Sequence, residues 1–226
     1  MLLNWLTIVI GTVGTLLPIA NPFSTAPVFA SLTRGYSRAD RNRQARRASV
    51  YMASVLLVTL FVGVMILTFF GIGMSALRIA GGLLVARIGF SMANPDPQEI
   101  VSETDTNEAM HKEDIAFMPI AMPLLSGPGS MAATISMASV ADGPEDYLGV
   151  AIGIVMVSII SWLILRSSTL VASKLGVTGM NVLTRVMGFL LVCIGIQFVA
   201  TGFFEGLTDQ KVMGPIVEAV RQAAGT

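Results

Sequence analysis

The chain is short of almost everything a soluble enzyme works with. Its 226 residues include one cysteine, Cys193, and one histidine, His111. A lone cysteine excludes an internal disulfide and any cysteine-held metal cluster. A lone histidine leaves zinc sites and histidine-based triads without enough members. Charge is scarce too: Asp, Glu, Lys and Arg make up 12% of the residues, against the ~25% usual in soluble domains. The 14 basic and 14 acidic side chains cancel, so no basic excess points to nucleic acid. What fills the chain instead is apolar: 54% of it, with a mean hydropathy of +0.75. Such a composition belongs to an integral membrane protein.

Crossing the ~30 Å hydrocarbon layer takes roughly 20 apolar helical residues. Six stretches qualify: residues 5–32, 48–70, 75–93, 115–140, 147–165 and 182–204. The runs are continuous rather than alternating, which predicts helices and not barrel strands. The opening MLLNWL has no positive n-region and no small-x-small site follows it, so no cleavable signal peptide is expected. Arg34, Arg38, Arg41, Arg43, Arg46 and Arg47 crowd the first connection, Lys112 lies in the third, and Arg166 and Lys174 lie in the fifth. Connections 71–74 and 141–146 carry no basic residue. The positive-inside rule therefore predicts both termini on the periplasmic side, with Lys211 and Arg221 of the tail against the trend. The arginine cluster reads as a topology anchor against anionic headgroups. Residues 94–114 are acidic and read as a flexible cytoplasmic linker, and 205–226 as a tail.

Laid against itself, the chain repeats. Pro18-Ile19-Ala20-Asn21-Pro22 recurs as Pro119-Ile120-Ala121-Met122-Pro123, and Pro27 matches Pro128 in the same register. Arg78-x-x-Gly81-x-Leu83-Leu84-Val85 recurs as Arg185-x-x-Gly188-x-Leu190-Leu191-Val192. Each half holds three spans, an odd number, so the second half enters the bilayer from the opposite side. The expected fold is all-α: a polytopic membrane protein of six transmembrane helices, arranged as two inverted three-helix repeats (1–93 and 115–204) with broken first and fourth helices. Many secondary transporters are built on inverted repeats, and some channels are as well.

Prolines set the character of the first and fourth spans. Each removes its own N–H and leaves the carbonyl four residues back without a partner. The carbonyls affected are those of Gly14, Pro18 and Phe23 in the first span and of Ile115, Pro119 and Leu124 in the fourth. Irregular backbone at membrane depth is tolerated only where protein buries it or where it lines a wet cavity. Around it lie Asn21, Pro22, Ser24, Thr25 and Pro27 in one half, and Ser126, Gly127, Pro128, Gly129 and Ser130 in the other. Gly127-Pro128-Gly129 is expected to interrupt its helix. Paired interrupted spans are the best sequence pointer to a transporter's binding site, and a half-helix N-terminus suits a carboxylate. Free carbonyls and hydroxyls suit an ammonium group or a sodium ion, so a small zwitterion fits both. A single proline would more often serve only as a kink. It is the duplication that favours a site.

No Asp or Glu falls within a predicted hydrocarbon core, which leaves no proton relay. Asp40 and Asp114, near membrane edges, are the nearest candidates. If transport is coupled, sodium fits better than protons, and uncoupled exchange fits as well as sodium. Arg78, Arg185 and Arg87 read as snorkelling side chains, with gating by the first two as the weaker reading. Cys193 reads as a small buried apolar residue. Gly81, Gly82, Gly149 and Gly153 read as helix contacts.

The segments LLPIANPFSTAPVFASLT, RNRQARRASVY, LRIAGGLLVARIGFSM, AFMPIAMPLLSGPGSMA and RVMGFLLVCIGIQF resemble the MarC family of bacterial and archaeal inner-membrane proteins. The likeness runs from about Leu16 to Gly202 and takes in all six spans. It implies a carrier of small neutral amino acids such as glycine and alanine in the cell inner membrane. By motif it points to Asn21, Pro22 and Pro27 and to Ser126, Gly127, Pro128 and Gly129 as substrate-holding positions. The PIANP opening, followed by Phe23-Ser24, departs from the Asp/Asn-Pro-Ile-Gly form usual in the wider family, and this bears on substrate choice. The partners implied are a small-molecule substrate and membrane lipid; homo-oligomerisation stays open, and no cofactor is called for beyond a coupling ion. The alternatives are a channel or facilitator for a small solute, and a non-transport membrane scaffold. No constellation supports an enzyme.

Overall fold

The computed structural model describes residues 2–94, 115–141 and 143–208. The acidic linker beyond Asn94, including Asp114, and the tail beyond Thr208 lie outside the described residues. Among the described residues every regular element is helical. In chain order they are α1 (Leu2–Ala20), α2 (Pro22–Leu32), α3 (Arg38–Phe69), α4 (Met74–Ala93), a widened irregular segment (Ala116–Leu125), α5 (Pro128–Ser139), α6 (Pro144–Arg166) and α7 (Ser168–Thr208).

Among the described residues four stretches are long and apolar enough to cross a membrane: Arg38–Phe69, Met74–Ala93, Pro144–Arg166 and Asn181–Thr208. Trp5–Ala20 and Pro22–Leu32, bent by 45° at Asn21, make a fifth if the pair is one span. The stretch read as a fourth span is divided. Ala116–Leu125 is a short apolar piece, and the 12 residues of α5 reach only about 18 Å.

Two boundaries differ from the sequence reading. Helix α3 takes in most of the arginine-rich connection, because Ser37 caps it: the Asp40 N–H donates to Ser37 Oγ at 3.1 Å, and Ser37 Oγ donates to Asp40 Oδ2 at 2.6 Å. Its 32 residues span about 48 Å, so its first turns rise beyond the hydrocarbon layer. Helix α7 likewise absorbs the fifth connection, since no proline occurs between Ser168 and Thr208 to stop it. Between α3 and α4 the turn is made by Gly71 at φ 67°. The Ile72 N–H reaches back to the Leu67 carbonyl at 2.9 Å, a helix-ending geometry that glycine adopts without a Cβ penalty. Helix α6 begins with Pro144 at a position needing no N–H, places Glu145 and Asp146 in its first turn, and ends on Arg166, in keeping with the helix dipole.

Large apolar side chains face outward along the helices, among them Val58, Phe61, Met65, Phe189 and Phe203. In water such a surface would aggregate; in a bilayer it is the surface that meets lipid. Inside, Leu16, Met52, Leu56, Ile120, Leu125 and Ile154 form one buried cluster. Because lipid tails are as apolar as these side chains, helix association depends on close packing, and glycines supply it. A Cβ built on Gly82 would lie 2.6 Å from the Gly195 carbonyl oxygen, and one on Gly89 would lie 2.6 Å from that of Gly188. One on Gly202 would lie 2.7 Å from the Ser75 carbonyl oxygen. Contacts spaced by seven residues thus run in opposite directions along α4 and α7, giving an antiparallel glycine seam. Gly149 and Gly153 do the same for α1 and α6, meeting Ile8 and Thr12, while Gly81 meets Ala132 of α5. Cys193 is exposed, not buried as its residue type suggested: two residues before Gly195, it points away from the seam.

Candidate functional site

The first break is made by Asn21. Its backbone adopts φ 39°, ψ 63°, the left-handed region that asparagine tolerates better than other non-glycine residues. This turns the chain between α1 and α2. Its N–H still bonds the Leu17 carbonyl at 3.0 Å. Asn21 then caps α2: Oδ1 accepts from Ser24 N at 3.3 Å, and the carbonyl accepts from Ser24 Oγ at 3.1 Å and Thr25 Oγ1 at 3.2 Å. Pro22 is therefore the first residue of a new helix, where a missing N–H costs nothing. Pro18 and Pro27 lie inside α1 and α2.

The second break is longer. Met118 and Met122 are extended, at φ −127°, ψ 121° and φ −130°, ψ 125°. Both precede prolines, which push the preceding residue out of the helical region; the two Met-Pro bonds are cis. Carbonyls here find partners five residues on. The Ile120 N–H bonds Ile115 O at 3.4 Å, and the Ser126 N–H and Oγ bond Ala121 O at 2.8 and 2.7 Å. The Ile115 carbonyl, expected to be orphaned by Pro119, is thus satisfied by a wider turn. Helix α5 restarts at Pro128, and Gly127 contributes no side-chain cap to its first N–H groups. Ser130 Oγ donates to Leu125 O at 3.2 Å and Thr134 Oγ1 to Ser130 O at 2.8 Å.

The two breaks are neighbours. A Cβ on Gly129 would lie 3.4 Å from Ile19 of α1 and 2.8 Å from Val85 of α4. From α4 comes also Met92, whose Sδ accepts from Asn21 Nδ2 at 3.4 Å. Asn21, Pro22, Thr25, Ser126, Gly129 and Ser130 are buried, and Ser24, Pro27 and Gly127 are half-buried. Pro128 is exposed and stands apart from the group. What results is the start of α5 packed against α1 two residues before Asn21, whose buried amide has, among the described residues, a thioether as its partner, a weak acceptor.

Three features escaped the sequence. Arg78 does not snorkel: it is buried, donating from Nε to Ser136 Oγ at 2.8 Å and pairing through Nη1 with Glu205. It therefore ties α4 to α5 and α7. Its repeat counterpart Arg185 is exposed, as is Arg87. Met92 carried no signal beyond hydrophobicity. Finally, Ile8, Gly11, Thr12 and Thr15 of α1, together with Met137, Val140, Asp146 and Val150, line an open vestibule of about 270 Å³. It lies at the end of the bundle away from Arg38, Arg41 and Arg166, and Thr15 is six residues, about 9 Å along the helix, from Asn21. Asp40 is exposed in the first turn of α3, where its Oδ2 accepts from Ser37 Oγ. Among the described residues no three His, Cys, Asp or Glu side chains gather as a metal would require.

Apolar-faced helices of spanning length, close glycine packing and interrupted helices buried among them define a polytopic membrane protein with polar side chains buried at its helix breaks. The chain belongs to the MarC family of integral membrane proteins, whose sequence pattern matches residues 6–207. It is 40% identical over 201 residues to the inner membrane protein MarC of Citrobacter koseri, covering 84% of this chain and 91% of that protein. To the protein of the same name from Escherichia coli strain UTI89 it is 41% identical over 201 residues, with the same coverage. No solved structure matches it.

Proposed function

We propose that this protein is a secondary carrier of the bacterial inner membrane, moving small neutral amino acids of glycine and alanine size by alternating access. The observation that carries the proposal is the buried Asn21 amide, two residues beyond the Ile19 against which Gly129 at the uncapped start of α5 packs. An Nδ2 donor bonded to Met92 Sδ gains by exchanging a thioether for a carboxylate. The N–H groups of a half-helix add partial positive charge at the same place. Hydroxyls and carbonyls of Ser24, Thr25, Ser126 and Ser130 are at hand for an ammonium group or a sodium ion. Within this reading the halves 1–93 and 115–204 are inverted repeats, the termini are periplasmic, and the Thr12–Thr15 vestibule is the outward approach. Duplicated prolines and the arginine distribution support that arrangement.

Binding of labelled alanine to the purified protein in detergent tests the site. Saturable binding is expected for the wild type and is expected to vanish in Asn21→Gly, which keeps the left-handed backbone and removes the amide. Unchanged binding by that variant would remove Asn21 from the site; no binding of any neutral amino acid by folded wild type would sink the substrate class.

A further inference from the structure

The end of the bundle opposite the vestibule holds a second site, built from basic residues. The first turns of α3 and the last turn of α6 enclose a groove of about 930 Å³, lined by Arg38, Arg41, Asn42, Leu163, Arg166 and Ser167 together with Ala39. Among the described residues three arginines line it and no carboxylate does. Arg38, Arg41 and Asn42 share one face of α3 by their spacing. Asp40 falls off that face and is engaged with Ser37. Arg166 is held in place, its guanidinium 5.4 Å from the centre of the Trp162 ring. Asn42 Oδ1 is buried without a hydrogen-bond partner, and the N-terminal end of α3 adds its own partial positive charge. Three guanidinium groups, that of Arg166 held by Trp162, with a free acceptor beside them suit a phosphate that carries a hydroxyl or ammonium group.

Which phosphate is indicated by what leads away from the groove. Leu163, Ile159, Met156 and Ile152 are 49%, 49%, 42% and 36% exposed and fall on one face of α6. They form an apolar track running from the basic groove into the hydrocarbon layer, a place for an acyl chain that a soluble phosphate would not use. We infer that this groove is a binding site for one anionic phospholipid, with its phosphate on Arg38, Arg41 and Arg166 and an acyl chain along the α6 track.

The two tryptophans of the chain make the test direct. Trp5→Phe leaves Trp162, which sits beside the groove, as the reporter in full-length protein reconstituted in vesicles. Phosphatidylglycerol and phosphatidylcholine with brominated acyl chains then compete to quench it. The expected result is a preference of roughly threefold or more for phosphatidylglycerol. This should fall to near parity in R38Q/R41Q/R166Q, be largely kept in the corresponding triple lysine variant, and weaken at molar salt in the wild type. Equal quenching by both lipids in the wild type would overturn the inference, as would a preference that survives both the glutamine substitutions and salt. Loss of the preference on adding millimolar inorganic phosphate would reassign the groove to a soluble anion and overturn the lipid assignment. The wild-type salt and phosphate arms decide the matter even if the glutamine variant does not fold.

Discussion

Asn21 does two jobs with one side chain, and substitutions can separate them. Asn21→Gly keeps the positive φ and loses the amide; Asn21→Ala loses both and adds the left-handed strain of about 1–2 kcal/mol. Thermal unfolding in detergent should therefore show Ala below Gly, while substrate binding fails in both. Equal melting temperatures would mean that the turn relaxes without Asn21. The proline-asparagine-proline pattern made this residue legible from sequence. Its partner Met92 was not, because nothing distinguishes one methionine among 14. Arg78 was misread for a related reason: its partner Glu205 lies 127 residues away, at the far end of α7. Glu205→Gln would leave a buried guanidinium without its counter-charge. Because Glu205 is 42% exposed, the loss should be about 1–3 kcal/mol, less than for a fully buried pair. The double change Arg78→Met/Glu205→Gln should recover part of the lost melting temperature.

Helix pairing rests on backbones in near contact. Gly82→Ala and Gly195→Ala each place a methyl group against main-chain atoms at 2.6 Å or less, which cannot move aside as a side chain could. Both should lower the melting temperature and part α4 from α7. Gly14, with nothing within 4 Å of an added Cβ, is the control: Gly14→Ala should be neutral or stabilising by up to about 1 kcal/mol. If all three variants melt alike, the seam is not what joins these helices. Glycines were visible in the sequence, but which helix they would meet was not, since a close approach is a property of two segments. The same gap explains Cys193, whose exposure depends on which face of α7 meets α4. Helix starts beyond the apolar runs, at Arg38 and Ser168, escaped because hydropathy marks where lipid ends and not where hydrogen-bonded turns end.

For the molecule as a whole, composition alone placed the chain in a membrane, and prolines placed the interruptions. The convergence of Gly129 with Ile19 and the vestibule beside Thr15 needed three dimensions, because they join elements more than a hundred residues apart in the chain. Under the proposed function the vestibule beside Thr15 is the approach from one side to the helix breaks. A carrier must then saturate and exchange, whereas a channel need not. The most direct measurement is counterflow of labelled glycine and alanine in proteoliposomes of the purified protein, with and without a sodium gradient. Saturable uptake driven by unlabelled amino acid inside, and absent in Asn21→Gly, is the predicted result. Flux that rises without saturation, or correctly folded protein that exchanges neither amino acid, would contradict it.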